Sequence, residues 1–412
     1  MKTMIKSKLI RYGTQFIDED DVQSVIEVLN STMLTQGPKV VEFESALCDE
    51  TDADFAVCLN SGTAALHIAC LAAGVGNGDE VITSPITFVA SANCAVYCGA
   101  RPVFADICSN TYNISPEEIE KKITSNTKAI IPVHFAGQSC DMDAIRQIVS
   151  TAEKKYGHKI YVIEDACHAL GSLYKNKKVG SCAFSDMTVM SFHPVKHITT
   201  GEGGVVLTND KGLLKKLRLS RSHGITSDPC EFVNRDLAFR SAASDPGRTV
   251  NPWYYEQIGL GYNYRITDIQ CALGVSQLKK LARFRKRRRE IVNQYNAAFK
   301  DSEFIQIPFE DSSCDSNFHL YVLLFDFEKI NIDRAGFMLE LQQKGIQTQV
   351  HYIPVYLHSF YRKHFGTNLG DCPNAEQYYK KCLSIPLYPA MGDVEVKKVL
   401  KEIICQVRRN SR

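Results

Sequence analysis

The 412-residue sequence has no uninterrupted apolar stretch of the length a bilayer-spanning helix needs, which excludes a membrane span of that kind. It lacks an excess of either charge: 48 Lys+Arg against 46 Asp+Glu leave a net charge of +2. That balance gives no whole-molecule case for nucleic acid or for an acidic membrane surface. No Cys-x-x-Cys pair occurs among the 15 cysteines, and the closest two, Cys94 and Cys98, lie on an apolar, helix-like segment. With an odd count and irregular spacing, neither a zinc site nor a disulfide framework is expected. The cysteines read as small buried hydrophobes in a reducing cytoplasm. Met1 to Gly13 carries scattered lysines and an arginine but no apolar core, so a secretory signal is not expected there.

What is present is an alternation of short apolar runs with helix-length segments. The runs are Ala56–Leu59, Val81–Thr83, Pro102–Ala105, Ala129–Val133, Tyr161–Ile163, Thr188–Phe192 and Val205–Thr208. Several are apolar without alternation, as in a mostly parallel sheet covered on both faces. The pattern predicts a seven-stranded α/β core from about Ala53 to Asn209. Before it, Glu19–Asn30 reads as an amphipathic helix with Val22, Val25, Ile26 and Leu29 on its apolar face, capped by Asp18. After it, Ile225–Glu256 is rich in Pro, Ser and Gly and reads as a long functional or mobile loop. One long helix, capped at Thr267 or Asp268, is then expected to run to Phe299. A smaller α+β part follows: strand Leu320–Phe325, helix Arg334–Lys344, strand Thr348–His351 and helix Asp393–Val407. The expected division is a large cofactor-binding domain over 1–275 and a small C-terminal domain over 276–412, with the N-terminal segment free to pack on the latter.

The chemistry concentrates at strand ends. Lys196 stands in a turn between two apolar runs, with Gly201, Gly203 and Gly204 downstream. A lysine so placed is a candidate for a Schiff base with a carbonyl cofactor. Asp165 stands at the carboxyl end of another run, where open α/β sheets bind ligands, and suits a pyridinium nitrogen. His168 lies three residues on. Asn60-Ser-Gly-Thr63 joins a strand to an apolar helix; it reads either as an anion site at the helix start or as an ordinary cap. Ser191 is placed to reach the same anion, and Phe88 to stack on a flat ring or to serve as core. The basic run Arg283–Arg289 sits inside a helical pattern and reads as a solvated helix face rather than a nucleic-acid site.

Taken in order, Leu34-Thr-Gln-Gly-Pro38, Asn60-Ser-Gly-Thr63, Pro85-Ile-Thr-Phe-Val-Ala90, Glu164-Asp-Ala-Cys-His-Ala-Leu-Gly171, Ser191-Phe-His-Pro-Val-Lys196, Gly201-Glu-Gly-Gly204, Gly261-Tyr-Asn-Tyr-Arg265 and His351-Tyr-Ile-Pro354 resemble the motifs of fold-type I pyridoxal-phosphate enzymes. More narrowly, they resemble the DegT/StrS-type nucleotide-sugar aminotransferases. The resemblance implies the cofactor, pyridoxal 5'-phosphate (PLP) alternating with pyridoxamine 5'-phosphate (PMP). It implies Lys196 as covalent anchor and proton carrier, Asp165 on the pyridine nitrogen and His168 by the phenolic oxygen. Gly62, Thr63 and Ser191 would hold the phosphate, Phe88 would cover the ring, and Asn263 would reach the phosphate from a second subunit, making a homodimer. Thr35, Arg265 and His351 would face the substrate, although Arg265 is equally placed to pair with Asp268. Glutamate would donate the amine to the 4-keto group of a nucleotide-linked sugar. Within the family the likeness is to the pseudaminic-acid branch, which implies a UDP-linked 4-keto-6-deoxy-N-acetylhexosamine.

Three other readings compete. A GDP- or dTDP-linked 4-keto sugar would fit the same motifs, and the polar Ile225–Glu256 segment is longer than that branch leads one to expect. A PMP-dependent sugar dehydratase would carry histidine where this chain has Lys196. A non-enzymatic binding protein on the same fold would be marked by loss of the lysine or the aspartate, and both are present.

Overall fold

The apolar runs of the first half hydrogen-bond into one sheet. The computed structural model describes residues 9–242 and 245–411. Its central strands are β1 (Phe55–Leu59), β2 (Glu80–Thr83), β3 (Arg101–Phe104), β4 (Thr127–Ile131), β5 (Tyr161–Asp165), β6 (Met187–Ser191) and β7 (Gly204–Thr208). They form a seven-stranded sheet in the order β1-β7-β6-β5-β4-β2-β3. β7 runs antiparallel to β1 and β6, and the remaining pairs are parallel. Each strand lies within two residues of its predicted place. The helices preceding and covering the sheet are α1 (Glu19–Leu29), α2 (Pro38–Thr51), α3 (Gly62–Ala72), α4 (Ala90–Tyr97), α5 (Pro116–Lys122), α6 (Met142–Tyr156) and α7 (Lys211–Arg221). α3 is apolar nearly all round and is buried nearly all round, which is what such a composition requires. The N-terminal residues 1–8, part of the segment read above for a signal, lie outside the described residues.

α1 turns a different face inward from the one its apolar spacing predicts. Val22, Ile26 and Leu29 are exposed, whereas Asp21 and Val28 are buried. The cause is polar: the Asp21 carboxylate accepts from Ser276 Oγ at 2.6 Å and Gln277 Nε2 at 2.7 Å, and pairs with Lys280 at 2.8 Å. The single long helix expected up to Phe299 is two helices, α8 (Asp268–Leu278) and α9 (Leu281–Phe299). Lys280, pinned by Asp18 and Asp21, sits at the break. Thr267 caps α8 through a reciprocal pair with Gln270.

The C-terminal part carries a small antiparallel sheet, β8 (Ile305–Gln306), β9 (Tyr321–Phe325) and β10 (Cys382–Ile385), with α10 (Arg334–Gln343) and α11 (Asp393–Asn410) beside it. The strand expected over Thr348–His351 is reduced to one bridge between Gln349 and Ser384. The chain leaves the sheet there because Tyr378 Oη donates to the His351 carbonyl at 2.6 Å and draws it aside. Ile10 belongs to this second core, held by Gly345 O at 2.9 Å and by the Gln347 amide at 2.8 Å.

The seam between the two sheets is hydrogen-bonded. Asn317 Nδ2 donates to Leu170 O at 2.7 Å, and the Asn317 amide to Ser172 Oγ at 3.0 Å. The His319 amide donates to Ala136 O at 2.8 Å, and the Asp311 amide to Gln138 Oε1 at 2.8 Å. Gly137 has φ +104°, and a Cβ there would sit 2.0 Å from Asn317 Oδ1, so this contact demands glycine.

The basic run is not the solvated face expected of it. Arg288 is 1% exposed and donates to the carbonyls of Leu387 at 3.0 Å and His319 at 3.2 Å. Arg289 is paired with Glu310 and Asp315, and Arg287 with Asp393. Nor is Ile225–Glu256 without structure. Ile225–Thr226 pairs with Glu256–Gln257 at its base, and Phe239–Ala242 pairs with Asp245–Val250 as a hairpin. Residues 243 and 244, which follow Ala242 in the sequence, lie outside the described residues.

Candidate active site

Successive strand residues point to opposite faces, so Glu164 and Asp165 at the end of β5 serve different neighbourhoods. Glu164 accepts from His134 Nε2 at 2.6 Å and from Thr188 Oγ1 at 3.1 Å, with Ser185 as a third donor. The Cys140 amide donates to His134 Nδ1 at 3.1 Å, which places the imidazole proton on Nε2. Burial works to raise the Glu164 carboxyl, but the hydrogen bonds from His134, Ser185 and Thr188 prevail and hold it below the usual range. This network anchors the strand end from behind.

Asp165 faces the other way and is 5% exposed. Ser91 Oγ donates to its Oδ2 at 2.6 Å, and the Cys167 amide to its Oδ1 at 3.2 Å. Among the described residues no Lys, Arg or His forms an ion pair with it. A buried carboxylate without a cation has room for one from outside the chain.

Lys196 follows β6 in a tight turn closed by its own amide on His193 O at 2.8 Å. Burial holds its ammonium below the ordinary lysine range, against the opposing pull of Cys167 and Asp165. The amine is thus biased towards the neutral, nucleophilic form. Beneath it lies a group of imidazoles. His168 contacts Tyr352 Oη through Nε2 at 3.3 Å, and its ring lies 4.3 Å from that of His319, which lies 5.2 Å from that of His197. Burial depresses all three, with the Lys196 charge adding to the effect. His351 bonds Ser384 Oγ through Nδ1 at 2.8 Å and is pushed down to about 3 by burial and then by Lys196.

The phosphate candidates meet by close approach. A Cβ on Gly62 would lie 2.9 Å from Ser191 Cβ, so only glycine lets the start of α3 touch the end of β6. Ser61 caps the helix by accepting from the Ala64 amide at 3.1 Å, and the amides of the first turn, Gly62 and Thr63 among them, have no intrahelical acceptor. The structure therefore brings Gly62 and Ser191 together, and sets Asp165, His168 and His351 around Lys196.

Other candidates stand apart. Phe88 is 59% exposed. Thr35 is exposed and bridges Thr267, while Asn263 is exposed and bridges Ser222. Among the described residues no hydrogen bond, ion pair or ring contact joins them to Lys196. Arg265 bridges Leu59 through its backbone. Its alternative role, pairing with Asp268, does not hold: Asp268 is fully buried and accepts instead from the amides of Gly37 at 2.8 Å and Lys39 at 2.9 Å. Sequence reasoning did not single out Ser91, Thr87, His319, Tyr352 or Tyr12, whose ring lies 5.4 Å from that of His351. Of these, Tyr352 inside His351-Tyr-Ile-Pro354 and Thr87 inside Pro85-Ile-Thr-Phe-Val-Ala90 lay within quoted motifs, though neither was given a role.

The arrangement fits PLP. An uncountered buried carboxylate to face a ring cation, a glycine cradle at a helix start to admit a phosphate, an amine held below the ordinary lysine range and the unpartnered Nδ1 of His168 suit such a group. The model of the DegT/DnrJ/EryC1/StrS aminotransferase family matches residues 15–404. A UDP-4-amino-4,6-dideoxy-N-acetyl-beta-L-altrosamine transaminase of Campylobacter jejuni is 41% identical over 395 residues, covering 95% of this chain and 96% of its own. Among solved structures, Helicobacter pylori PseC, an aminotransferase in pseudaminic-acid biosynthesis, superposes with TM-score 0.85 at 33% identity, covering 98% and 100% of the two chains. Spr1654 of Streptococcus pneumoniae in its PLP form superposes with TM-score 0.86 at 30% identity, covering 98% and 100%.

Proposed function

As a member of the DegT/DnrJ/EryC1/StrS aminotransferase family this chain is a PLP-dependent sugar aminotransferase, and we propose that Lys196, Asp165 and His168 are its catalytic residues. The observation that carries this reading is Lys196, its ammonium held below the ordinary lysine range by desolvation, near a buried Asp165 that has no cation of its own. When bound, the cofactor supplies an electron sink for breaking and making C–N bonds. Lys196 anchors it and carries the proton during amine transfer. Asp165 holds a positive charge at its ring nitrogen, and His168 stands at the phenolic edge. Gly62, Thr63 and Ser191 bind the phosphate, and Phe88 covers the ring.

We propose glutamate as amine donor and, as acceptor, a UDP-linked 4-keto-6-deoxy-N-acetylhexosamine aminated at C4. The names of the Campylobacter and Helicobacter relatives support this choice. Arg265, Thr35 and His351 form the sugar-nucleotide side, where an arginine without a carboxylate partner among the described residues suits a pyrophosphate. Incubation with glutamate and a panel of UDP-, GDP- and dTDP-linked 4-keto sugars, read by mass, tests it. Turnover confined to a GDP or dTDP sugar would sink the substrate assignment and leave the chemistry standing.

We further propose a homodimer in which Asn263 completes the neighbouring site, and a division of the chain into a cofactor unit over 1–275 and a small unit over 276–412. The exposure of Phe88, Leu260 (81%) and Trp253 (75%) supports a covering partner. Mixing Lys196→Ala with Asn263→Ala should restore part of the activity, because one hybrid site then carries both residues. A fully active monomer would overturn the shared site.

A further inference from the structure

We propose that Ser91 and Thr87 are positioning residues that keep the Asp165 carboxylate aimed and charged, so that the proton of the cofactor's ring nitrogen stays on nitrogen. The proposal rests on the reading of Asp165 given above. Ser91 Oγ lies 2.6 Å from Asp165 Oδ2 and 2.7 Å from Thr87 Oγ1. Ser91, Thr87 and Asp165 are 1%, 3% and 5% exposed, so water does not compete for these bonds.

The direction of the chain follows from counting hydrogens. An ionised carboxylate only accepts, so the single hydroxyl proton of Ser91 goes to Asp165. Ser91 then has none for Thr87, and Thr87 must donate to Ser91. Successive donation in one direction strengthens each bond, and the last is charge-assisted. The Cys167 amide supplies the other oxygen at 3.2 Å, so both carboxylate oxygens are held and the rotamer is fixed. Held through both oxygens, the carboxylate keeps one orientation towards the positive charge it is assigned to face.

Local structure explains why these two residues serve. α4 begins at Ala90, which puts Ser91 in its first turn, and Thr87 stands four residues earlier on the segment that enters the helix. Phe88 is the next residue along. One short segment therefore covers the ring and sets the counter-charge of its nitrogen.

The test is 15N NMR of the holoenzyme loaded with PLP labelled at the ring nitrogen, in wild type, Asp165→Asn, Ser91→Ala, Thr87→Val and Ser91→Thr. The expected result is a protonated shift in wild type and Ser91→Thr, an unprotonated shift in Asp165→Asn, and a displacement towards the unprotonated shift in Ser91→Ala, smaller in Thr87→Val. In Ser91→Ala kcat should fall about 10-fold, while KM for glutamate stays within about twofold. A wild-type shift in Ser91→Ala alongside a lost one in Asp165→Asn overturns the relay and leaves the Asp165 reading intact. An unprotonated shift in wild type itself overturns both. Should Ser91→Ala not fold, Thr87→Val carries the same decision.

Discussion

In the enclosed group near Lys196, His197, His319, Asp165, His168 and His351 are 3 to 7% exposed and packed ring against ring or bonded by neighbouring donors. Phe88, Thr35 and Asn263, by contrast, are exposed and, among the described residues, joined to Lys196 by no hydrogen bond, ion pair or ring contact. Burial depresses the four histidines of the enclosed group. The exposed group holds residues assigned to the ring face, the neighbouring subunit and, apart from His351, the sugar nucleotide. On that assignment, chemistry is built within one chain and most of recognition is left at its rim.

If that contrast is right, changes on the enclosed side strike rate and changes on the rim strike binding. Lys196→Ala removes covalent anchor and proton carrier together and should cost roughly 10²–10⁴ in kcat, with loss of the visible absorbance of the bound cofactor. Near wild-type turnover would break the assignment. Arg265→Ala should raise KM for the sugar nucleotide about 10- to 100-fold and leave KM for glutamate within about twofold, since it touches only the larger substrate. Equal effects on both would put Arg265 in a structural role. Phe88→Ala should weaken cofactor retention about 10-fold, measured by dialysis and absorbance, because a stacked ring is lost.

The smallest effect concerns acid. His351 is held at about 3 in the folded chain, against an ordinary 6.5. Below 6.5 the unfolded chain takes up a proton that the folded one refuses, so stability is full above 6.5 and falls as pH drops towards 3. His168, His197 and His319 act in the same sense. Replacing His351 with Gln should lessen the loss by about 1.4 kcal/mol per pH unit within that window, read from urea unfolding at pH 4 to 7. An unchanged acid slope would mean that His351 titrates freely.

The sheet was legible because most of its strands are short apolar runs buried on both faces, and burial of that kind leaves a mark in nearly every residue. α1 was misread for the opposite reason. Its inward face is chosen by Asp21 and three polar partners more than 250 positions away, and apolar spacing carries no trace of them. The same holds for the break at Lys280 and for buried Arg288, whose acceptors are carbonyls on distant turns. Lys196, Asp165 and His168 stood out because motifs surround them. Ser91 did not, and Thr87 gained no role from the motif around it, because hydroxyls near a helix start are common and only the fold brings Ser91 against Asp165 and Thr87 against Ser91.

The seam at Asn317 and His319 has a mechanical consequence. Its hydrogen bonds to Leu170, Ser172 and Ala136 tie the small sheet to the loops that bear His168. Parting the two halves would sever several bonds of about 1 kcal/mol each and pull His319 off His168, so each opening would dismantle the cluster of tilted imidazoles near Lys196. The seam therefore works as a rivet: it couples the place of the small sheet to the place of the imidazoles near Lys196, so that neither shifts alone.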